Sequence, residues 1–160
     1  WKDLVDFWKE LDSIGIDMYR SLATSGQRLP TDQRELVETL KQTSDRFATQ
    51  IDNALFEIEN VVGAPKTLIL KEVGYRSVQN CFIDPFLYVN SDRGSVNLEH
   101  QAAAYDAVFQ SFWKPNWTWF SGIVIWDASI DPRLHGPQDT GFSFIGKKPT
   151  VELLKNYFSN

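Results

Sequence analysis

The spacing of apolar positions changes period several times along the chain. Leu4, Val5, Phe7, Trp8 and Leu11 recur at helical spacing, which predicts an amphipathic helix over residues 1–11. From residue 13 to 19 the period drops to two. Ile14, Ile16 and Met18 fall on one side and Gly15, Asp17 and Tyr19 on the other, the pattern of a strand. Leu36, Val37, Leu40, Phe47, Ile51, Leu55, Ile58 and Val62 then mark one long amphipathic helix, or two in succession. Thr31 and Asp32 offer its start, and Gly63 with Pro65 its end. Residues 67–73 and 120–126 are mostly apolar and predict two strands buried on both faces, as in a parallel sheet. Residues 98–113 and 150–158 read as further helices, and residues 75–96 as a long loop. The order is a helix followed by β-α-β-α-β-α. It implies an α/β fold with a parallel sheet and right-handed crossovers.

Composition narrows the function. Sixteen Lys and Arg against 21 Asp and Glu give a net charge of −5, without the basic footprint of a general nucleic-acid binder. One cysteine, Cys81, excludes an intrachain disulfide framework and a Cys-rich zinc site. Two histidines, His100 and His135, leave little for a His-based metal centre. No apolar run reaches the roughly 18 residues of a membrane span. No glycine-rich phosphate loop follows any strand, so a nucleotide-binding reading has no support. The chain opens at Trp1 rather than Met, with no visible signal peptide, as a processed or truncated N-terminus would. Six tryptophans are many for a plain core, and indole faces suit the C–H faces of pyranose rings.

Working residues of α/β proteins gather at the carboxyl ends of the strands. Tyr19 ends the first predicted strand. Glu72, then Gly74 and Tyr75, ends the second, and Trp126 followed by Asp127 ends the third. A carboxylate among aromatic walls is the equipment of glycoside hydrolysis, in which it attacks or supports an oxocarbenium-like centre.

Three segments carry a resemblance. Leu11-Asp12-Ser13-Ile14-Gly15-Ile16-Asp17-Met18-Tyr19, Lys71-Glu72-Val73-Gly74-Tyr75-Arg76-Ser77 and Phe120-Ser121-Gly122-Ile123-Val124-Ile125-Trp126 resemble the last three strands of a clan A (β/α)8-barrel glycosidase. The chain is most similar to glycoside hydrolase family 113, the β-mannanase family. The resemblance implies that residues 1–160 are the C-terminal part of a TIM barrel, about strands six to eight with their helices. It implies Glu72 as catalytic nucleophile, Tyr19 as the tyrosine that orients it, and Trp126 as the floor beneath the reacting sugar. The family's acid/base, a Glu at the end of strand four, then falls before Trp1. No cofactor or metal is implied. The substrate would be an oligo- or polysaccharide, with β-1,4-mannan first.

Other readings accompany these. Glu72 can be a structural carboxylate paired with Arg76, and Tyr19 and Trp126 can be core residues. Trp113, Trp117 and Trp119 are read chiefly as packing at the end of a helix, with Trp117 as a weaker sugar contact. Tyr75, and Phe86 and Tyr88 in the long loop, are further candidates for substrate binding. Asp17 is expected to be a buried structural acid, His100 to lie on a helix surface and His135 in a solvated loop. Asn116-Trp117-Thr118 fits a glycosylation acceptor. Another clan A β-glucanase or β-glucosidase, and a non-catalytic carbohydrate-binding remnant, are the alternative functions. A barrel segment of this kind presents an open strand edge and an apolar inner face. Residues 1–160 alone are therefore expected to self-associate or to bind the missing barrel half. A monomeric, cooperatively unfolding sample in sedimentation would count against that expectation.

Overall fold

The computed structural model describes residues 7–87, 94–113 and 115–159 of the chain. Three parallel strands, β1 (Ser13–Met18), β2 (Thr67–Val73) and β3 (Phe120–Ile125), form one sheet in the order β1-β2-β3. Helix α1 (Gln33–Val62) connects β1 to β2, α2 (Leu98–Phe112) connects β2 to β3, and α3 (Lys148–Phe158) follows β3. This is the β-α-β-α-β-α order the apolar spacing predicts. The long helical pattern is one continuous helix. Asp32 caps it by accepting from the Glu35 N–H at 3.0 Å, and Gly63 closes it in the left-handed region at φ +79°.

The helices pack on one face of the sheet. Ile14 and Met18 of β1 and Leu68, Leu70 and Val73 of β2 are buried there. They meet Leu40, Ile51 and Leu55 of α1 and an alanine-rich face of α2, where Ala103, Ala104 and Ala107 let that helix lie close. The second face is open. Gly15, Asp17, Thr67, Lys71, Ser121 and Val124 are exposed on it. The expectation that β2 and β3 are buried on both faces is therefore corrected: only the helix-facing side has packing partners among the described residues. Asp17, expected to be buried, instead lies in the open and pairs with Lys71 at 3.3 Å.

The amino-terminal helix is corrected over its described part, residues 7–11. Residues 1–6 lie outside the described set, and Trp8–Glu10 is a single 3-10 turn. Leu11 is already extended, and its carbonyl accepts from the buried Lys66 ammonium. The predicted tryptophan packing before β3 is observed. The Trp119 Nε1–H donates to Asp52 on α1 at 2.8 Å and the Trp117 Nε1–H to the Ser111 carbonyl at 2.9 Å, with the two rings stacked.

The segment after β2 folds back on α2. Val78 and Val96 form an antiparallel bridge, and the Asn80 N–H donates to His100 Nδ1 at 2.9 Å. His100 is half-buried against the Phe82 ring rather than free on a helix surface. Desolvation holds its pKa below the usual imidazole range. The unfolded chain therefore binds a proton that the folded chain resists. This contribution to stability is fully present above the ordinary histidine pKa and is lost as pH falls through the lowered folded value. Denaturant midpoints at pH 7.5 and pH 5 should differ in the wild-type chain and differ less in His100→Gln. An equal pH dependence in both proteins would remove His100 from this account.

Candidate active site

The site forms where the three strands end. Strict alternation along β2 would send Leu68, Leu70 and Glu72 all to the helix-facing side. A β-bulge prevents this. Against β1, Ile16 pairs with Leu70 but the next residue, Asp17, pairs with Glu72. Against β3, Ile123 pairs with Leu70 and Ile125 with Val73. Both neighbours thus place one extra residue in β2 between Leu70 and Val73. Val73 takes the buried helix-facing position, at 0 % exposure, and Glu72 is turned toward the open face.

There the Tyr19 hydroxyl donates to Glu72 Oε2 at 2.9 Å. The two residues stand on adjacent parallel strand ends, 53 positions apart in sequence. Arg76, which the sequence offered as an alternative partner for Glu72, instead donates from Nε to the Thr140 carbonyl at 3.1 Å. Asp17 lies opposite Glu72 in register, but its carboxylate is engaged by Lys71. The Lys71 stem crosses Gly15, where any side chain would meet it.

Trp126 follows the end of β3, and its side chain is 40 % exposed. Its N–H donates to the Val73 carbonyl at 2.8 Å, and its peptide bond to Asp127 is cis. Trp126 and Tyr19 converge on Gly74. A Cβ placed there would lie 2.8 Å from the Trp126 carbonyl oxygen, and 3.0 Å from both the Tyr19 ring and the Phe142 ring. Only glycine fits that point. The Tyr19 and Phe142 rings meet edge to face at 6.2 Å.

The loop after β3 closes over this junction. Ser77 binds the Asp139 and Gly141 carbonyls through its hydroxyl. The fully buried Lys147 ammonium reaches Asp139 Oδ2 at 2.7 Å and the Gly141 carbonyl at 2.9 Å. Burial lowers the Lys147 pKa, and Asp139 opposes that shift. His135 is bound through Nε2 to the Ser129 carbonyl, so its ring is engaged within the loop.

The remaining candidates separate from this group. Tyr75 is fully buried, with its hydroxyl directed to the Arg20 carbonyl, so it underlies the site and offers no surface to a sugar. Burial raises its phenol pKa well above the ordinary value. Trp117 precedes β3 and lies at the amino-terminal end of the sheet, away from Glu72; its placement does not support a sugar contact there. Tyr88 lies outside the described residues. Phe86 is exposed in the loop after β2. Cys81 is buried, and burial pushes its thiol pKa far up, so it is not an available nucleophile. Sequence reasoning gave Gly74 no role and missed two α2 side chains, Gln101 and Tyr105, that reach beneath the site. Gly74 stood inside the segment Lys71–Ser77, but its neighbours become visible only in three dimensions.

Comparison with known proteins identifies the family and the fold. Residues 2–147 match the family model described as Glycoside Hydrolase Family 113. The fold is similar to the GH113 β-mannanase AaManA from Alicyclobacillus acidocaldarius, solved in complex with ManMIm. The match has a TM-score of 0.66 and 22% identity, and covers 99% of this chain and 42% of that one. Two further structures, both of a GH113 β-1,4-mannanase, match with TM-scores of 0.62 and 0.60 at 21% identity. They cover 99% of this chain and 42% and 43% of theirs. The chain thus spans less than half the length of these structures. A search of curated proteins found no match. With most of its length matching the family model and its strands following the fold of those mannanases, this chain belongs to Glycoside Hydrolase Family 113.

Proposed function

We propose that the chain contributes the nucleophile half of a retaining β-glycoside hydrolase acting on β-1,4-mannan. One observation carries the reading: the Tyr19 hydroxyl meets Glu72 at 2.9 Å on the open face, at the carboxyl ends of adjacent parallel strands. A carboxylate that attacks an anomeric carbon needs one oxygen held and one lone pair free along the line of attack. Among the described residues the Tyr19 hydroxyl on Oε2 meets that need. The exposed Trp126 indole offers a flat apolar plate for a pyranose ring. The mannan specificity rests on the similar solved structures, which are of β-mannanases.

In this mechanism a Glu72 oxygen bonds to the anomeric carbon as the glycosidic C–O bond breaks, forming a glycosyl-enzyme. A general acid gives the departing oxygen its proton. The same group, now a base, takes a proton from water as water displaces Glu72. Tyr19 stabilises the carboxylate when it is free and orients it throughout. The family resemblance assigns the acid/base group to a part of the barrel outside residues 1–160; Asp17, the carboxylate opposite Glu72, is engaged by Lys71. The open sheet face and the free β1 edge are where that part would pack. An apolar groove of about 520 Å³, lined by Phe7, Trp8, Leu11, Ile16 and Phe47 among others, runs beside that edge.

An activated 2-fluoro-β-mannosyl substrate tests the assignment, because its good leaving group lessens the need for the acid. Intact-mass analysis of the full-length polypeptide that carries this chain should show one adduct, mapping to Glu72 and absent from Glu72→Gln. Tyr19→Phe should slow trapping about tenfold to a hundredfold, the worth of a hydrogen bond to a charged group. Labelling of a different carboxylate, or none in the folded full-length protein, would refute Glu72 as nucleophile.

A further inference from the structure

We propose that Gln101 and Tyr105 of α2 are positioning residues that fix the Trp126 wall from beneath. The inference rests on the reading of Trp126 as a sugar platform. The two residues are four apart on one helix, so their side chains leave the same face one turn apart. Both are fully buried.

Each makes a bridge. Gln101 Nε2 donates to the Tyr75 carbonyl at 2.8 Å and to the Phe142 carbonyl at 3.2 Å, while its Oε1 accepts from the Thr150 hydroxyl at 3.0 Å. The Tyr105 hydroxyl accepts from the Tyr75 N–H at 3.4 Å and donates to the Trp126 carbonyl at 3.3 Å. Thus α2 takes both backbone groups of Tyr75, just after β2. It carries each connection onward to the segment after β3, once at Phe142 and once at Trp126. The Trp126 backbone is consequently held at both ends. Its N–H is bound by Val73 and its C=O by Tyr105.

Stability alone would require one partner for a buried phenol. Here the partners belong to two different loops of the site. The Trp126 oxygen that Tyr105 holds is also the nearest atom to the missing Gly74 Cβ, and the Tyr19 ring lies at 3.0 Å from the same point. The Trp126 carbonyl and the residue that orients Glu72 thus border the same point. The Tyr75 and Tyr105 rings, edge to face at 5.5 Å, complete the support.

The test uses 5-fluorotryptophan incorporated into the full-length polypeptide, with the Trp126 fluorine line assigned by Trp126→Phe and mannotriose as the probe. In Tyr105→Phe the Trp126 line should move without sugar, and mannotriose affinity should fall about tenfold. That is about 1.4 kcal/mol, in the range for a buried carbonyl left unpaired. The Trp117 and Trp119 lines should stay in place. A Trp126 line unmoved in Tyr105→Phe, beside intact Trp117 and Trp119 lines, would overturn the inference. Should Tyr105→Phe lose all lines, Gln101→Met, which removes the second α2 bridge, is read in the same way. A moved Trp126 line with the other lines retained supports the inference, and loss of every line in both variants assigns these residues to general stability and overturns it. If mannotriose leaves the wild-type Trp126 line unchanged, the sugar-platform reading fails. The sugar-free line then still decides whether Tyr105 positions Trp126.

Discussion

The site depends on one extra residue in β2. Parallel pairing with β1 and β3 fixes the faces of that strand, and its apolar residues commit Leu68, Leu70 and Val73 to the helix layer. Without the bulge, Glu72 would enter that layer in place of Val73. A carboxylate there would be surrounded by apolar side chains of α1 and α2, at a large desolvation cost. With the bulge, the hydrophobic residue stays inside and the carboxylate faces Tyr19. The same local irregularity satisfies the core and creates the site, as bulges beside active sites often do.

The rest of the carboxyl-terminal edge is built to hold this arrangement. Two loops and α2 exchange hydrogen bonds through backbone groups rather than through the exposed side chains. Ser77 and Lys147 secure the loop after β3, Gln101 and Tyr105 reach it from below, and Gly74 lets three residues approach one point. The half-buried Glu72 and the exposed Trp126 are thereby mounted on backbone that is fixed independently of them. In the proposed mechanism such mounting would keep Glu72 in line without a cost of reorganisation at the moment of reaction. The amino-terminal edge is different in kind. There Trp117 and Trp119 join α1, α2 and β3 into a plain structural contact.

Strand and helix positions were legible because their signals are local. Ile14, Ile16 and Met18 alternate, Asp32 and Gly63 mark the ends of α1, and an apolar run identifies β2. Strand-end logic then singled out Tyr19, Glu72 and Trp126. The pairing of Tyr19 with Glu72 came from the family resemblance, and the backbone arrangement that produces it was not legible. An apolar run does not assign faces, so it could not reveal the bulge or the solvent-facing positions of Thr67 and Lys71. Asp17 looked buried because alternation alone says nothing of what covers a face. Tyr75 looked like a wall because adjacency to Glu72 in sequence does not tell surface from interior. Gln101 and Tyr105 carry no local signal: on a helix they read as ordinary polar positions, and only the crossover brings them under Trp126.

The central claim is that the bulge-turned, Tyr19-bound Glu72 is the group that forms the bond to sugar. Chemical rescue tests it directly. Glu72→Ala in the full-length polypeptide would be given a dinitrophenyl β-mannoside with and without azide. The account predicts negligible turnover without azide, and restored turnover with it that yields α-mannosyl azide, because azide enters from the face Glu72 occupied. Formation of β-mannosyl azide would make Glu72 the acid/base instead, and activity independent of azide would place the nucleophile elsewhere.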